Sequence, residues 1–149
     1  MTNPILITGA AGRVGAVGRT VTELLLKQGK AVRAMVRTED ERSQALRDMG
    51  AEVVVGNLLD LDSMHRAIDG VETMYFGLSV SDTYLAATVN TAAVAKHHGV
   101  KPFINMSQMT VSQMSITETT LWHLGSMRPL AFLGRRCWPG RSDRGGSFH

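Results

Sequence analysis

Three glycines near the start of the chain have the spacing of a phosphate-binding turn. The segment Thr8-Gly9-Ala10-Ala11-Gly12-Arg13-Val14-Gly15 follows a short apolar run and precedes a segment with helical periodicity. Gly9 permits a tight turn, Gly12 lets a pyrophosphate approach the backbone, and Gly15 lets the helix pack closely. The unpaired N–H groups at the helix start favour an anion. We therefore predict that a dinucleotide is bound by this turn, through Gly9, Ala11, Gly12, Arg13, Val14 and Gly15.

The spacing Gly-x-x-Gly-x-x-Gly differs from the commoner Gly-x-Gly-x-x-Gly, so a purely structural turn is the alternative. The position of the turn between a strand and a helix favours the dinucleotide site. Gly18, inside the predicted helix, indicates close packing of that helix on its neighbours.

Arg37 ends the second predicted strand, where NAD-binding proteins usually carry an acidic residue that holds the ribose 2′-hydroxyl. A guanidinium binds a 2′-phosphate, which a carboxylate would repel. The first acids, Glu39 and Asp40, come later. Arg37 thus predicts a preference for NADP(H) over NAD(H). Arg33 is a second candidate for the phosphate, and an ordinary solvated charge at Arg37 is the alternative.

Further polar and flexible residues follow the other predicted strands. Asn57 follows the third strand, where its amide would reach the adenine or form a turn with Gly56. The segment Gly77-Leu78-Ser79 follows the fourth strand, and Ser107 follows the fifth. Ligands of open parallel sheets bind at this carboxyl edge.

The apolar pattern predicts the elements that would position these residues. Short apolar runs at 5–7, 31–36, 52–55, 71–78 and 102–106 alternate with segments of helical periodicity, and a glycine follows each such segment. The helices are predicted over 14–25, over 39–49, after Asp60 or Asp62, and over 82–98 with Ser81 as the cap. This alternation is typical of an α/β fold, a Rossmann-like, doubly wound parallel sheet with strand order 3-2-1-4-5.

Periodicity also predicts which side chains of the helices face the sheet. For the first helix the apolar stripe is Val14, Val17, Val21, Leu24 and Leu25, and for the last helix the inward face is Leu85, Val89, Ala92 and Ala93.

Composition excludes several classes of protein. Apolar residues make up 44% of the 149 residues, which is enough for a core, and one cysteine excludes a disulfide scaffold. We find no apolar run of membrane-spanning length and no basic stretch typical of a signal peptide, so we expect a soluble cytoplasmic protein that does not engage membranes.

The charge is divided unevenly along the chain. Residues 1–120 hold 11 basic and 12 acidic residues, whereas residues 121–149 hold five arginines and one acid, which accounts for the net charge of +3. A basic nucleic-acid-binding face is therefore not expected for the body of the chain. The last segment is a flexible basic tail or, alternatively, an out-of-frame or artificially joined end; a role in nucleic-acid binding is the less favoured interpretation.

No metal site is predicted. His97 and His98 are adjacent, so they do not share a helical face, and neither an acid nor a cysteine stands beside them at ligand spacing. A solvated helix end is the preferred interpretation. Cys137 lies among arginines that would lower the pKa of a thiol, which indicates oxidation rather than catalysis.

Residues 3–115 resemble the NmrA-like branch of the atypical short-chain dehydrogenase/reductase superfamily. The resemblance lies in Thr8-Gly9-x-x-Gly12-x-x-Gly15, Val32-Arg33-Ala34-Met35-Val36-Arg37, Gly56-Asn57-Leu58-x-Asp60 and Phe103-Ile104-Asn105-Met106-Ser107. It implies that Arg37 lies near the 2′-phosphate and that Asn57 and Leu58 lie near the adenine. It places Gly77, Leu78 and Ser79 near the ribose on the nicotinamide side. Asn57 stands where Asp is common in the family.

The resemblance also bears on domain organisation. Family members are longer, and the missing part would supply a sixth strand and a small substrate domain. We therefore expect an incomplete Rossmann domain over residues 1–115, truncated before those elements, and an irregular basic tail over residues 116–149, with an out-of-frame end as the alternative. The open edge of the sheet would then favour self-association.

The family includes NAD(P)H-dependent reductases of quinone-like or other small carbonyl substrates and non-catalytic redox sensors. The superfamily's relay is Ser…Tyr-x-x-x-Lys, in which Ser107 matches the serine. The two tyrosines, Tyr75 and Tyr84, are followed four residues later by Ser79 and Thr88, so the chain has no such relay and its catalytic residues are unknown. The hypotheses are a reductase of unknown substrate, an NADP(H)-sensing module, or a defective fragment.

Overall fold

Apolar runs and helical segments alternate along the chain, and the computed structural model folds them as alternating strands and helices. The structure describes residues 3–13, 16–79 and 81–106. In chain order the elements are β1 (Ile5–Thr8), α1 (Val17–Lys27), β2 (Val32–Val36), α2 (Glu41–Asp48), β3 (Glu52–Val55), α3 (Leu61–Ile68), β4 (Thr73–Phe76), α4 (Tyr84–His97) and β5 (Phe103–Asn105).

The strands form one parallel sheet in the order β3-β2-β1-β4-β5, which confirms the predicted fold class and strand order. The central strand β1 pairs with both β2 and β4, so that Ile5 lies opposite Val32 on one side and Thr73 on the other. The chain moves outward from β1 to β3 and then returns to continue at β4. The carboxyl ends of β1 and β4 therefore flank the point where the strand order reverses, which is where such sheets bind ligands.

Each face of the sheet carries its own apolar core, because successive side chains of a strand point to opposite faces. Leu6 and Phe76 pack with α3 and α4 on one face, whereas Ile7 and Tyr75 pack with α1 and α2 on the other. Both faces are covered by helices, as a parallel sheet requires. The central strands β1, β2 and β4 are thus buried on both sides, whereas the edge strands β3 and β5 are partly exposed.

The inward face predicted for α1 is wrong at two positions. Val17 and Leu24 are 50% and 53% exposed, and the fully buried residues of the helix are Gly18 and Thr22. The Thr22 hydroxyl donates to the Gly18 carbonyl at 2.9 Å, so its polar group is satisfied within the helix. A residue that hydropathy assigns to the surface is therefore buried. Val14, the first residue of the predicted stripe, lies outside the described residues.

The inward face predicted for α4 is also wrong, because Leu85 and Val89 are exposed. As in α1, threonines whose hydroxyl groups bond within the helix are buried in their place. Thr88 and Thr91 are buried instead and donate to the carbonyl groups four residues earlier, at 2.8 and 2.7 Å. Ala92 is buried as predicted, but Ala93 is exposed.

The helix starts agree only in part with the sequence. Asp40 and Ser43 form a reciprocal capping box at α2, and Asp60, rather than Asp62, accepts at the start of α3. Ser81 does not cap α4 with its side chain; its carbonyl accepts from the Tyr84 N–H. Among the described helices, none combines the length and apolar character needed to span a membrane.

Candidate functional site

A cleft of ≈ 470 Å³ opens at the carboxyl ends of the strands, beside the point where the strand order reverses. Most of the residues predicted to bind a cofactor line it: Gly9, Ala11, Gly12, Arg37, Asn57, Leu58, Gly77, Leu78 and Ser79. Arg13 is exposed and does not line the cleft. Val14, Gly15 and Ser107 lie outside the described residues. The topology thus brings segments 68 residues apart in sequence, at Gly9 and Gly77, to one edge of the sheet.

The turn after β1 requires a glycine at Gly9. Its φ is +72°, and a Cβ built at this position would lie 2.7 Å from the carbonyl oxygen of Gly77. The turn out of the strand is therefore as tight as the sequence indicates. Gly12 is confined differently, since a Cβ there would lie 2.6 Å from Cβ of Ala16. Gly12 both lines the cleft and lets the start of α1 approach the turn.

Gly18 accounts for the close packing of α1. A Cβ at this position would lie 2.6 Å from the carbonyl oxygen of Gly9, so the first turn of the helix rests directly on the glycine turn. The structure confirms that Gly18 serves packing and identifies its partner, which the sequence does not reveal.

The N-terminus of α1 faces the cleft without a side-chain cap. Ala16, Val17 and Gly18 line the cleft, the N-cap residue Ala16 makes no side-chain hydrogen bond, and the first turn holds no acidic residue. By contrast, aspartates cap α2 and α3. The first N–H groups of a helix have no acceptor within the helix. This arrangement favours an anion at the mouth of the turn.

A threonine that sequence reasoning left without a role joins the two sides of the cleft. The buried Thr8 hydroxyl donates to the Gly77 carbonyl and accepts from the Gly77 N–H, both at 2.9 Å. These bonds join the ends of β1 and β4 and seat Gly9 against Gly77. The only sequence signal for this role is a hydroxyl residue immediately before the first glycine.

Replacing Thr8 by valine should lower the free energy of unfolding by about 1–3 kcal/mol, because both backbone groups of the buried Gly77 lose their partner. Urea denaturation measures this change. Thr8→Ser is the matched control, since it retains the hydroxyl, and it should lie much closer to the wild type. Equal stabilities of the valine and serine variants would contradict the structural role of the hydroxyl.

Arg37 lines the cleft as an exposed side chain and makes no ion pair with any residue that the structure describes. The two nearest acids are engaged elsewhere, Glu39 with Arg47 and Asp40 with Arg42. The hydrogen bond from Arg42, together with the Ser43 N–H, holds the pKa of Asp40 below its usual value. Asp40 therefore stays ionised near neutral pH without neutralising Arg37.

Arg33, the second candidate for a phosphate, is committed to the protein. It donates to the carbonyl groups of Ala67 and Asp69 at 3.0 and 2.6 Å and lies 2.9 Å from a carboxylate oxygen of Glu52. It does not line the cleft. Of the two candidate arginines, Arg37, directly after β2, is the one positioned for an anion in the cleft.

Asn57 forms the turn that the sequence allows, and it lines the cleft as well. Its side-chain oxygen accepts from the Leu59 N–H at 3.0 Å, and its own N–H donates to the Ser63 hydroxyl at 2.9 Å. Because the turn uses only the carbonyl oxygen of the side chain, the amide NH₂ group can donate to a ligand.

Neither tyrosine is placed as an activated acid. Tyr75 lines the cleft, and burial, with the neighbouring Tyr84, raises the pKa of its phenol above the usual value. The Tyr75 hydroxyl donates to Sδ of Met106 at 3.1 Å, and the Tyr84 hydroxyl donates to the carbonyl of the same residue at 3.2 Å. Tyr75 is therefore a weaker acid than a free tyrosine.

The sequence predicts no acid or cysteine beside His97 and His98 at ligand spacing, and the structure places a third histidine there. His65 of α3 joins them, and one ring nitrogen from each of the three lies within 4.8 Å of the others. The pairing of α3 with α4 brings His65 to this position, and the sequence spacing gives no sign of it.

Comparisons with known proteins agree with the geometry of the cleft. A family model described as NAD(P)H-binding matches residues 9–132. A curated relative, the (4-alkanoyl-5-oxo-2,5-dihydrofuran-3-yl)methyl phosphate reductase of Streptomyces griseus, is 34% identical over 109 residues, 73% of this chain and 36% of the relative.

Two solved structures are similar over most of the described fold. The NADPH-dependent quinone oxidoreductase QOR2 of Escherichia coli, in complex with NADPH, matches 87% of this chain and 45% of its own, at 25% identity and a TM-score of 0.72. A short-chain dehydrogenase/reductase superfamily protein of Agrobacterium tumefaciens with bound NAD matches 89% of this chain and 45% of its own, at 26% identity and a TM-score of 0.67. The chain thus spans less than half the length of each.

Proposed function

Because the chain belongs to the NAD(P)H-binding family, we propose that it binds NADP(H) in the cleft and forms the cofactor-binding part of an NAD(P)H-dependent reductase. One observation carries the proposal. The glycine turn, the uncapped start of α1 and Arg37, which forms no ion pair with a described residue, line the same cleft. Together they offer N–H groups and a guanidinium to two separate anionic groups, which matches the pyrophosphate and the 2′-phosphate of NADP(H).

The proposed site assigns each part of the cofactor to a strand end. The pyrophosphate lies at the turn after β1, on Gly9, Ala11 and Gly12, with Val14 and Gly15 following in the sequence, and Arg13 adds a positive charge beside that site without lining the cleft. The 2′-phosphate lies at Arg37 after β2, and the adenine at Asn57 and Leu58 after β3. Beyond the pyrophosphate, the ribose on the nicotinamide side lies at Gly77, Leu78 and Ser79 after β4, and Ser107, which follows β5 in the sequence, completes the assignment.

The preference for NADP(H) rests on the surroundings of Arg37. The neighbouring acids Glu39 and Asp40 pair with other arginines and do not neutralise Arg37. Its guanidinium can therefore pair with a 2′-phosphate. The two similar structures hold NADPH in one case and NAD in the other, so the relatives alone do not choose between the cofactors.

The chemistry of the cleft favours a quinone-like substrate over an ordinary ketone. The bound cofactor supplies a hydride. Reduction of a ketone forms an alkoxide that needs an acid beside it, yet this chain contains no Tyr-x-x-x-Lys, and the pKa of Tyr75 is raised. A quinone that accepts a hydride forms a stabilised phenolate, which takes its proton from water. QOR2 is named as a quinone oxidoreductase, which is consistent with this choice.

Calorimetry and a turnover assay test the proposal together. We expect one NADPH to bind and, at 100 times its Kd, to stabilise the fold by about 2.7 kcal/mol. NADPH oxidation is then followed with a panel of quinones and, as a control, aliphatic ketones. Turnover with quinones alone supports the proposed reductase. An absence of NADPH binding and of any melting shift would overturn the proposal and support a defective fragment.

A cofactor-sensing module is the second candidate, because the glycine turn and Arg37 line a cleft that can hold NADPH whether or not turnover follows. A sensor would bind NADPH without steady turnover, and its occupied and empty states would bind a partner differently. Tight NADPH binding with no oxidation across the panel would select this function over the reductase.

We also propose that the cofactor domain ends near residue 115, that residues 116–149 form a separate basic tail, and that chains self-associate. The strands β3 and β5 are the edges of the described sheet, and Val55 and Ile104 on them are about half exposed. Limited proteolysis would locate the boundary, and size-exclusion chromatography with light scattering would give the oligomeric state.

A further inference from the structure

Three histidines meet where α3 packs against the end of α4. His65 lies within α3, His97 is the last residue of α4, and His98 is the C-cap. We propose that these three imidazoles bind a divalent transition-metal ion, with Zn²⁺ as the best match. This site is distinct from the cofactor cleft, because α4 runs away from the carboxyl edge of the sheet and ends at the opposite edge.

The three rings already converge. Nδ1 of His65 lies 2.9 Å from Nε2 of His98, and the ring centroids are separated by 5.1 Å for His65 with each partner and 5.3 Å for His97 with His98. With Zn–N bonds of about 2.0–2.1 Å, two ligands of a tetrahedral ion lie about 3.3 Å apart. One ring nitrogen from each histidine lies within 4.8 Å of the others, so small rotations of the side chains suffice.

The end of the helix explains how two adjacent residues contribute to one site. Side chains at consecutive helical positions diverge. His98, however, is the residue at which the chain leaves α4, with φ −81° and ψ 0°. Both side chains can therefore turn toward His65 on the neighbouring helix.

The donor set decides the class of ion. Imidazole nitrogens suit Zn²⁺, Co²⁺, Ni²⁺ and Cu²⁺, whereas Mg²⁺ and Ca²⁺ require oxygen ligands. A ring nitrogen coordinates a metal through its lone pair, and Nδ1 of His65 and Nε2 of His98 already face each other at 2.9 Å. His65 and His98 are half-buried and His97 is exposed, which leaves a fourth position to water.

The expected effect of the metal is on the stability of the fold. A bound ion would link α3 to α4, whose side chains already share the core on one face of the sheet. Because binding to the folded chain adds stability by mass action, the melting temperature should rise with the concentration of Zn²⁺. Protons compete for the ring nitrogens, so the effect should weaken on acidification.

Titration of the chelator-treated full chain tests the site. We expect one Zn²⁺ per chain in competition with a chromophoric chelator, and Co²⁺ should give the visible absorption of a tetrahedral or five-coordinate site. His65→Gln and His98→Gln should each weaken Zn²⁺ binding at least tenfold, or by about 1.4 kcal/mol. Two controls keep all three ligands: His123→Gln removes a different histidine, and Arg66→Gln alters the residue next to His65. Both control variants should bind Zn²⁺ with the affinity of the wild type.

Folding of the variants is verified independently of the metal. Circular dichroism and the melting temperature in the presence of a chelator should match those of the wild type, because the three side chains are exposed or half-buried. If His65→Gln proves unstable, His97→Gln, at an exposed position, takes its place. Unchanged Zn²⁺ affinity in the ligand variants, or a loss of binding in His123→Gln, would overturn the proposal.

Discussion

Arg37→Ala should weaken NADPH binding by about 10- to 100-fold while leaving NADH binding nearly unchanged, because a hydrogen bond to a charged group contributes about 1.5–3 kcal/mol. The 2′-phosphate is the only difference between the two cofactors, so a selective loss identifies the group that Arg37 contacts. Calorimetry with both cofactors measures the selectivity. Arg37→Glu should go further and favour NADH, since its carboxylate would repel the phosphate and can accept from a ribose hydroxyl.

The matched control is Arg42→Ala, which removes the same charge five residues away. Arg42 is paired with Asp40 and does not line the cleft, so its loss should change the affinities for NADPH and NADH little and equally. If Arg37→Ala weakened both cofactors alike, Arg37 would act on a part that they share. If it weakened neither, the assignment of the 2′-phosphate would be wrong.

Gly9→Ala should abolish cofactor binding and destabilise the fold by about 2–5 kcal/mol, since it combines a left-handed backbone with an overlap that must be relieved. The added Cβ would lie 2.7 Å from the carbonyl oxygen of Gly77, which is held in place by its hydrogen bond from the Thr8 hydroxyl. Thermal or urea unfolding gives the stability, and calorimetry under conditions where the variant is folded gives the binding.

Gly29→Ala is an unusually close control for this substitution. Gly29 has the same φ of +72°, but no atom lies within 4 Å of a Cβ built there. It should therefore show only the backbone cost of about 1–2 kcal/mol and should bind NADPH normally. Similar effects at the two positions would mean that the contact between Gly9 and Gly77 does not shape the site.

The architecture could be predicted from the sequence because its signals are local. Apolar strand runs, helical periodicity and the glycines that end helices each span only a few residues, and the parallel order follows from the alternation. The resemblance to NmrA-like proteins also depends on local motifs, and the family match that begins at Gly9 confirms it. The positions of Gly9, Arg37 and Gly77 around one cleft follow from the ends of their strands.

The features that could not be predicted depend on partners distant in sequence or on polar groups satisfied inside helices. The bonds between Thr8 and Gly77 join residues 69 positions apart, and His65 meets His98 across two helices. The buried face of α4 was misassigned because Thr88 bonds to its own helix and so behaves as a core residue. A hydropathy pattern contains no information about contacts between distant residues or about hydroxyl groups that are satisfied inside a helix.

The paired bonds between Thr8 and Gly77 have a mechanical consequence for the cleft. They are buried and join the turn after β1, to which we assign the pyrophosphate, to the segment after β4, to which we assign the ribose on the nicotinamide side. We therefore expect the turn after β1 and the segment after β4 to move together. A change in backbone position at one segment should shift the other. A substitution after β4 should therefore change the affinity for the diphosphate even though the substituted residue does not contact it.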